Sequence, residues 1–124
     1  MRISRFEDIE AWKKARKLVQ KIYTLTRKEN FSRDWRLVGQ IQAAGISIMG
    51  NIAEGFDRRS NKEFKNFLNI SHASASEVQS HLYVALDQCY INQSEFQDAY
   101  DHAVLVKKLI NGFIRYLRGS DRKE

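Results

Sequence analysis

Five cations crowd into nine residues near the start of the chain: Lys13, Lys14, Arg16, Lys17 and Lys21. Arg33 and Arg36 extend the basic character further along. Side chains of this type, gathered on one surface, contact phosphates, and the chemistry they offer is charge neutralisation rather than bond making. The competing reading is the wet side of an amphipathic helix. Ser47, Asn51 and Glu54 form a second group at spacings of 4 and 3, which puts them on one helix face. Polar groups in an apolar setting must be hydrogen-bonded, so this row is expected to bond a neighbouring helix or the loop that follows. It is read as structural rather than catalytic.

Metal and catalytic chemistry find little support. Di-iron bundles use Glu-x-x-His on facing helices. Here Glu77-Val78-Gln79-Ser80-His81 has the wrong spacing. His72 and His81 are nine apart, on opposite sides of a helix, and His102 belongs to another segment. A Glu54–Glu77 pair is the remaining conceivable carboxylate pair. No metal site, no cofactor and no catalytic residue is assigned, and the protein is read as a non-enzyme.

Four amphipathic helices can position these groups. The first is predicted over residues 7–27, with Ala11, Ala15, Leu18, Ile22 and Leu25 as its seam. The second spans 33–55, with Ser32 as N-cap, Phe31 stapling its entry and Gly55 as the left-handed residue that ends it. The third, 61–89, opens on the capping box Ser60-Asn61-Lys62-Glu63 and carries a seam from Phe64 to Cys89. The fourth, 93–118, is capped by Asn92 with Glu95 and is apolar at Phe96, Ala99, Ala103, Val106, Ile110, Phe113 and Leu117. There is no proline and no sustained period-2 alternation. The fold class is all-α, an antiparallel up-down-up-down four-helix bundle in a single domain of 124 residues.

The second helix stands apart. Residues 40–55, QIQAAGISIMGNIAEG, hold no Lys or Arg and one acid, Glu54. A surface helix needs a charged face. This segment is therefore expected to be covered nearly all round, partly by another subunit. The third helix is slim at Ser71 and Ala73–Ser76, which suggests that the two lie close.

Charge is uneven. Residues 1–62 hold 14 Lys+Arg against 7 Asp+Glu, or +7; residues 63–124 hold 7 against 8, or −1; the total is +6. A basic half points to an anionic partner, RNA or DNA. A lone cysteine, Cys89, allows no internal disulfide and fits the cytoplasm. The most apolar stretch is too short to span a membrane.

The chain resembles the four-helix bundle proteins encoded in intervening sequences of bacterial 23S ribosomal RNA genes. It is also similar to the accessory variability protein of diversity-generating retroelements. The likeness is carried by Phe6-Glu7-Asp8-Ile9-Glu10-Ala11-Trp12, by Asn51-Ile52-Ala53-Glu54-Gly55-Phe56, and by Arg58-Arg59-Ser60 followed by Glu63-Phe64 and Phe67-Leu68. Gln42 and Ala43 stand where members often carry Arg, and Met49 where they often carry Pro. The resemblance implies a nonenzymatic homopentamer, nucleic-acid binding and, for the retroelement relatives, a reverse-transcriptase partner. A protein–protein adaptor without nucleic-acid binding is the alternative.

Overall fold

A computed structural model of the protein describes residues 3–119, and among them every regular element is helical. A single 3-10 turn, Phe6–Asp8, leads into α1 (Glu10–Thr26). A short α2 (Glu29–Arg33) precedes three long helices: α3 (Trp35–Phe56), α4 (Asn61–Asp87) and α5 (Gln93–Gly119). No helix of the described residues is long and apolar enough to cross a membrane.

The four long helices form an antiparallel bundle in which α1 packs on α3 and α5, and α4 packs on the same two. Cross-links between neighbours fix the direction of each. The Gln42 amide on α3 donates to Thr26 Oγ1 at the end of α1, 3.1 Å away. Ser71 Oγ on α4 donates to the Ile48 carbonyl of α3 at 2.9 Å. Lys107 Nζ on α5 donates to Gln79 Oε1 of α4 at 3.0 Å. Lys28, just past the end of α1, pairs with Glu95 of α5 at 2.7 Å, and Lys21 of α1 pairs with Asp98 of α5 at 2.8 Å. One turn on, His102 Nε2 donates to the Lys14 carbonyl at 2.9 Å.

The seams close on one core. Ala15, Leu18, Ile48, Ile52, Leu68, Ala75, Val78, Leu82, Val106 and Ile110 are sealed from solvent. On α5, Ile114 takes the buried place expected of Phe113, which is only half-buried. Two predicted caps form: Glu63 N donates to Ser60 Oγ at 3.2 Å, and Asn92 and Glu95 bond each other reciprocally at 2.8 and 2.9 Å.

Five further expectations are corrected. The first helix does not start at residue 7; Ile9 is extended and buried, so Glu7 and Asp8 belong to the 3-10 turn and not to the first turn of α1. Ser32 caps nothing: it lies inside α2 and its hydroxyl donates to the Glu29 carbonyl at 2.8 Å. Asp34 is the cap of α3, accepting from Leu37 N at 3.1 Å, and its other oxygen accepts from the Tyr90 hydroxyl at 2.9 Å. That bond holds the Tyr90 phenol above its ordinary pKa. Phe31, fully buried, stacks on Tyr90 instead of stapling a helix start. Gly55 does not terminate α3; it is buried within the helix, and no glycine of the described residues has positive φ. A Cβ there would lie 2.8 Å from both Phe64 and Phe67, so the glycine serves close approach of α3 to α4.

The fifth correction is Cys89. It leaves the α4 seam, is exposed, and takes the left-handed conformation with φ 62°. Tyr90 N donates to the Ala85 carbonyl and Cys89 N to the Leu86 carbonyl, at 2.9 and 3.0 Å, the paired bonds of a Schellman end. An L side chain in that conformation costs about 1–2 kcal/mol that glycine avoids. Cys89→Gly should therefore raise unfolding free energy by about 1 kcal/mol in urea titration; an unchanged or lowered midpoint would refute the strain.

His102 gives a pH prediction. Burial pushes its pKa below 6.5, with Lys21 and Lys14 adding to the depression while the Lys14 carbonyl and Asp98 oppose it. His72 is depressed likewise, by burial and then by Lys107. The unfolded chain thus binds protons before the folded one, and stability falls as pH drops through the unfolded value. The melting temperature should decline from about pH 7.5 to about pH 5.5. His102→Gln should flatten that decline; an equal slope in the variant would remove His102 from the account.

Candidate nucleic-acid interface

Helical periodicity splits the cations of α1 into two groups. Ala11, Ala15, Leu18 and Ile22 face the core. Lys13, Arg16 and Lys17 are exposed on the opposite side, while Lys14 and Lys21 are half-buried on the flank toward α5. Lys21 is held by Asp98. Lys13 is 3.6 Å from Glu10, an exposed pair of little strength. Among the described residues, neither Arg16 nor Lys17 forms an ion pair.

The outward side of α1 is concave in two places. One open groove of about 620 Å³ is lined by Arg5, Trp12, Lys13, Lys14, Arg16 and Lys17, with Glu7, Glu10 and Gln20. A second, about 390 Å³, runs on from Arg16 and Gln20 past Val19, Tyr23 and Thr24 to Arg27, with Met49 of α3 at its side. The Arg16 guanidinium sits 5.9 Å from the centroid of the Trp12 ring, and Phe6 meets that ring edge-on at 5.1 Å.

Arg33 and Arg36 do not line either groove. Both are exposed; Arg33 pairs with Glu29 at 3.2 Å, and the Arg36 guanidinium lies 5.4 Å from the ring of Trp35. Two cations join the row that the sequence reading left out. Arg5 lies ahead of α1, outside any periodic pattern. Arg27 follows Arg16, Gln20 and Thr24 at spacings of 4, 4 and 3, a signal that periodicity does carry.

The polar row has its own geometry. Ser47 Oγ and Ser74 Oγ share a hydrogen bond of 2.8 Å between α3 and α4. Asn51 Nδ2 donates to the Ser47 carbonyl at 2.8 Å and to its hydroxyl at 3.0 Å. Glu54 accepts from Arg58 at 2.9 Å, and the Arg58 guanidinium lies 4.7 Å from the Phe67 ring. These contacts tie α3 to α4 and to the loop between them. Glu77 is exposed, and among the described residues no three His, Cys, Asp or Glu side chains converge.

Coverage of α3 is one-sided. Ile41, Ala44, Gly45, Ile48 and Ile52 are buried, but Gly39, Ala43, Ile46 and Gly50 are exposed at spacings of 4, 3 and 4, with Ile46 at 49%. Trp35, four residues before Gly39, is 73% exposed. The near-complete coverage expected of this segment is thus not reached within one chain.

A crystal structure of a protein of unknown function from the S23 ribosomal protein family of Bacteroides thetaiotaomicron has the same fold. Its TM-score is 0.79 at 24% identity, over 85% of this chain and 98% of that one. No curated protein matches the chain. Residues 7–112 match the model of the 23S rRNA-intervening sequence protein family, a span that takes in α1, the polar row and the α3–α4 junction, and the chain belongs to that family.

Proposed function

We propose that the protein is a nonenzymatic, cytoplasmic scaffold that binds RNA or DNA through the outward side of α1, and that it does so as a homopentamer. The observation that carries the first part is the row Lys13, Arg16 and Lys17, exposed together along an open groove that Arg5 and Lys14 extend. Cations so placed neutralise successive phosphates without reading sequence. Lys21 acts as a structural tie to Asp98 rather than a phosphate ligand, and Arg33 and Arg36 serve as a separate outlying pair.

Oligomerisation is supported by the uncharged exposed stripe Gly39, Ala43, Ile46 and Gly50 on α3. Small residues there let a second backbone come close. The pentameric number is what the family resemblance implies. Repeating a weak site around a ring raises its effective affinity by multivalency. A second reading, an adaptor for an acidic or reverse-transcriptase-like protein, is favoured by one observation: Trp35 is 73% exposed beside Arg36, and exposed Trp and Arg side chains dominate protein interfaces. A complex that survives nuclease would support it.

Two experiments test the main reading. The triple variant Lys13→Glu, Arg16→Glu, Lys17→Glu should weaken RNA and DNA binding on the order of 100-fold and flatten its salt dependence, with helix content unchanged by circular dichroism. Unaltered binding would dismiss this site. For assembly, a Cβ at Gly50 meets nothing within 4 Å in a single chain. Gly50→Gln should therefore gain about 1 kcal/mol of helix propensity in a free subunit. Buried against a neighbour, the same side chain should split the oligomer in light scattering. An oligomer of unchanged mass would place the interface elsewhere.

A further inference from the structure

We infer that the α1 groove takes a single strand rather than a duplex, with phosphates on its cationic flank and bases against Trp12 and Tyr23. This rests on the nucleic-acid reading above and names its substrate class. The two grooves adjoin at Arg16 and Gln20 and together line the outward side of the chain from Arg5 to Arg27. Along α1 alone that side runs about 25 Å, at 1.5 Å per residue, room for a few nucleotides.

The two flanks of the grooves differ in kind. Lys13, Lys17 and Arg27 stand on the outward side. The side toward α3 is Trp12, Val19 and Tyr23, at spacings of 7 and 4, joined by Met49. None of these four is charged, and all are half-buried, so each offers part of its surface to a groove. A duplex turns its phosphates outward and keeps its bases stacked inside; it would use the cations and leave the aromatic side idle. A single strand has a charged edge and a π-faced edge, and it uses both. Arg16, whose guanidinium lies over the Trp12 ring, joins the two sides, since a guanidinium plane both stacks on bases and meets phosphate.

Phosphate contacts alone favour a duplex, because its charge density is higher. A preference for the single strand is therefore diagnostic of the aromatic side. The chain has two tryptophans, Trp12 and Trp35, and Trp35 is exposed, so the full-length Trp35→Phe protein reports emission from Trp12. Titration with oligo(dT) on the order of 20 nucleotides should quench that emission and bind about tenfold tighter than a duplex of equal length. Tyr23→Ala should lose about tenfold toward oligo(dT) while leaving the duplex unaffected, and Tyr23→Phe should retain binding. Equal affinity for both forms with unchanged Trp12 emission would overturn the single-strand inference and leave phosphate binding intact. Binding to neither form would overturn both. Should Tyr23→Ala unfold, Trp12 quenching and the affinity ratio in the Trp35→Phe protein decide the matter.

Discussion

The contact between α3 and α4 is the constraint from which the rest of the structure follows. It is close because its side chains are small. Gly55 admits Phe64 and Phe67, Ser71 reaches the Ile48 carbonyl, and the Ser47 and Ser74 hydroxyls bond each other. A larger residue at any of these places would push the helices apart. Ile48, Ile52, Leu68 and Ala75, which lie between them, would then lose contacts that only a dense core supplies. The polar row is part of this seal. Each of its members has a named partner, so the partial burial of Ser47 and Asn51 costs little. Glu54 and Arg58 then hold the turn that brings α4 back. The residues that carry the family likeness from Asn51 to Phe67 are largely those that build this junction.

Much of this was legible in the sequence. The seam of α1 is buried at every predicted position, because a 3.6-residue period forces an apolar stripe inward whatever the neighbours are. Ser60 and Asn92 cap their helices because each cap needs only residues within the next turn. The misreadings at Ser32 and Gly55 share a cause: the deciding partner is distant in sequence. Ser32 and Asp34 are both competent caps, and Tyr90, 56 residues from Asp34, selects between them. Gly55 has the type of a helix terminator, but its reason lies across the interface in α4. Cys89 satisfies the apolar period, yet the chain must turn there toward Asn92, and the turn prevails over the period.

The candidate interface was legible in part. Clustering of Lys13, Lys14, Arg16 and Lys17 could be read directly. Composition could not show that Lys21 is spent on Asp98, or that Arg33 and Arg36 lie away from the groove. Those outcomes depend on which face each residue shows to α5 and on where α2 breaks the chain. Trp12 and Tyr23 flank the seam of α1, and each is only half-buried. Both rings border the groove.

The uncharged segment of α3 has two sides with different fates. One is sealed by α1 and α4. The other, from Gly39 to Gly50, faces outward with no ionisable side chain at its four exposed small or apolar positions. In a chain with 36 charged residues, 21 basic and 15 acidic, that uncharged face is the one the proposed assembly would cover with a second copy. Sedimentation velocity on the unaltered protein tests this most directly. A single species several times heavier than the 14.5 kDa chain is the predicted result. A homogeneous 14.5 kDa monomer across the accessible concentration range would contradict the account.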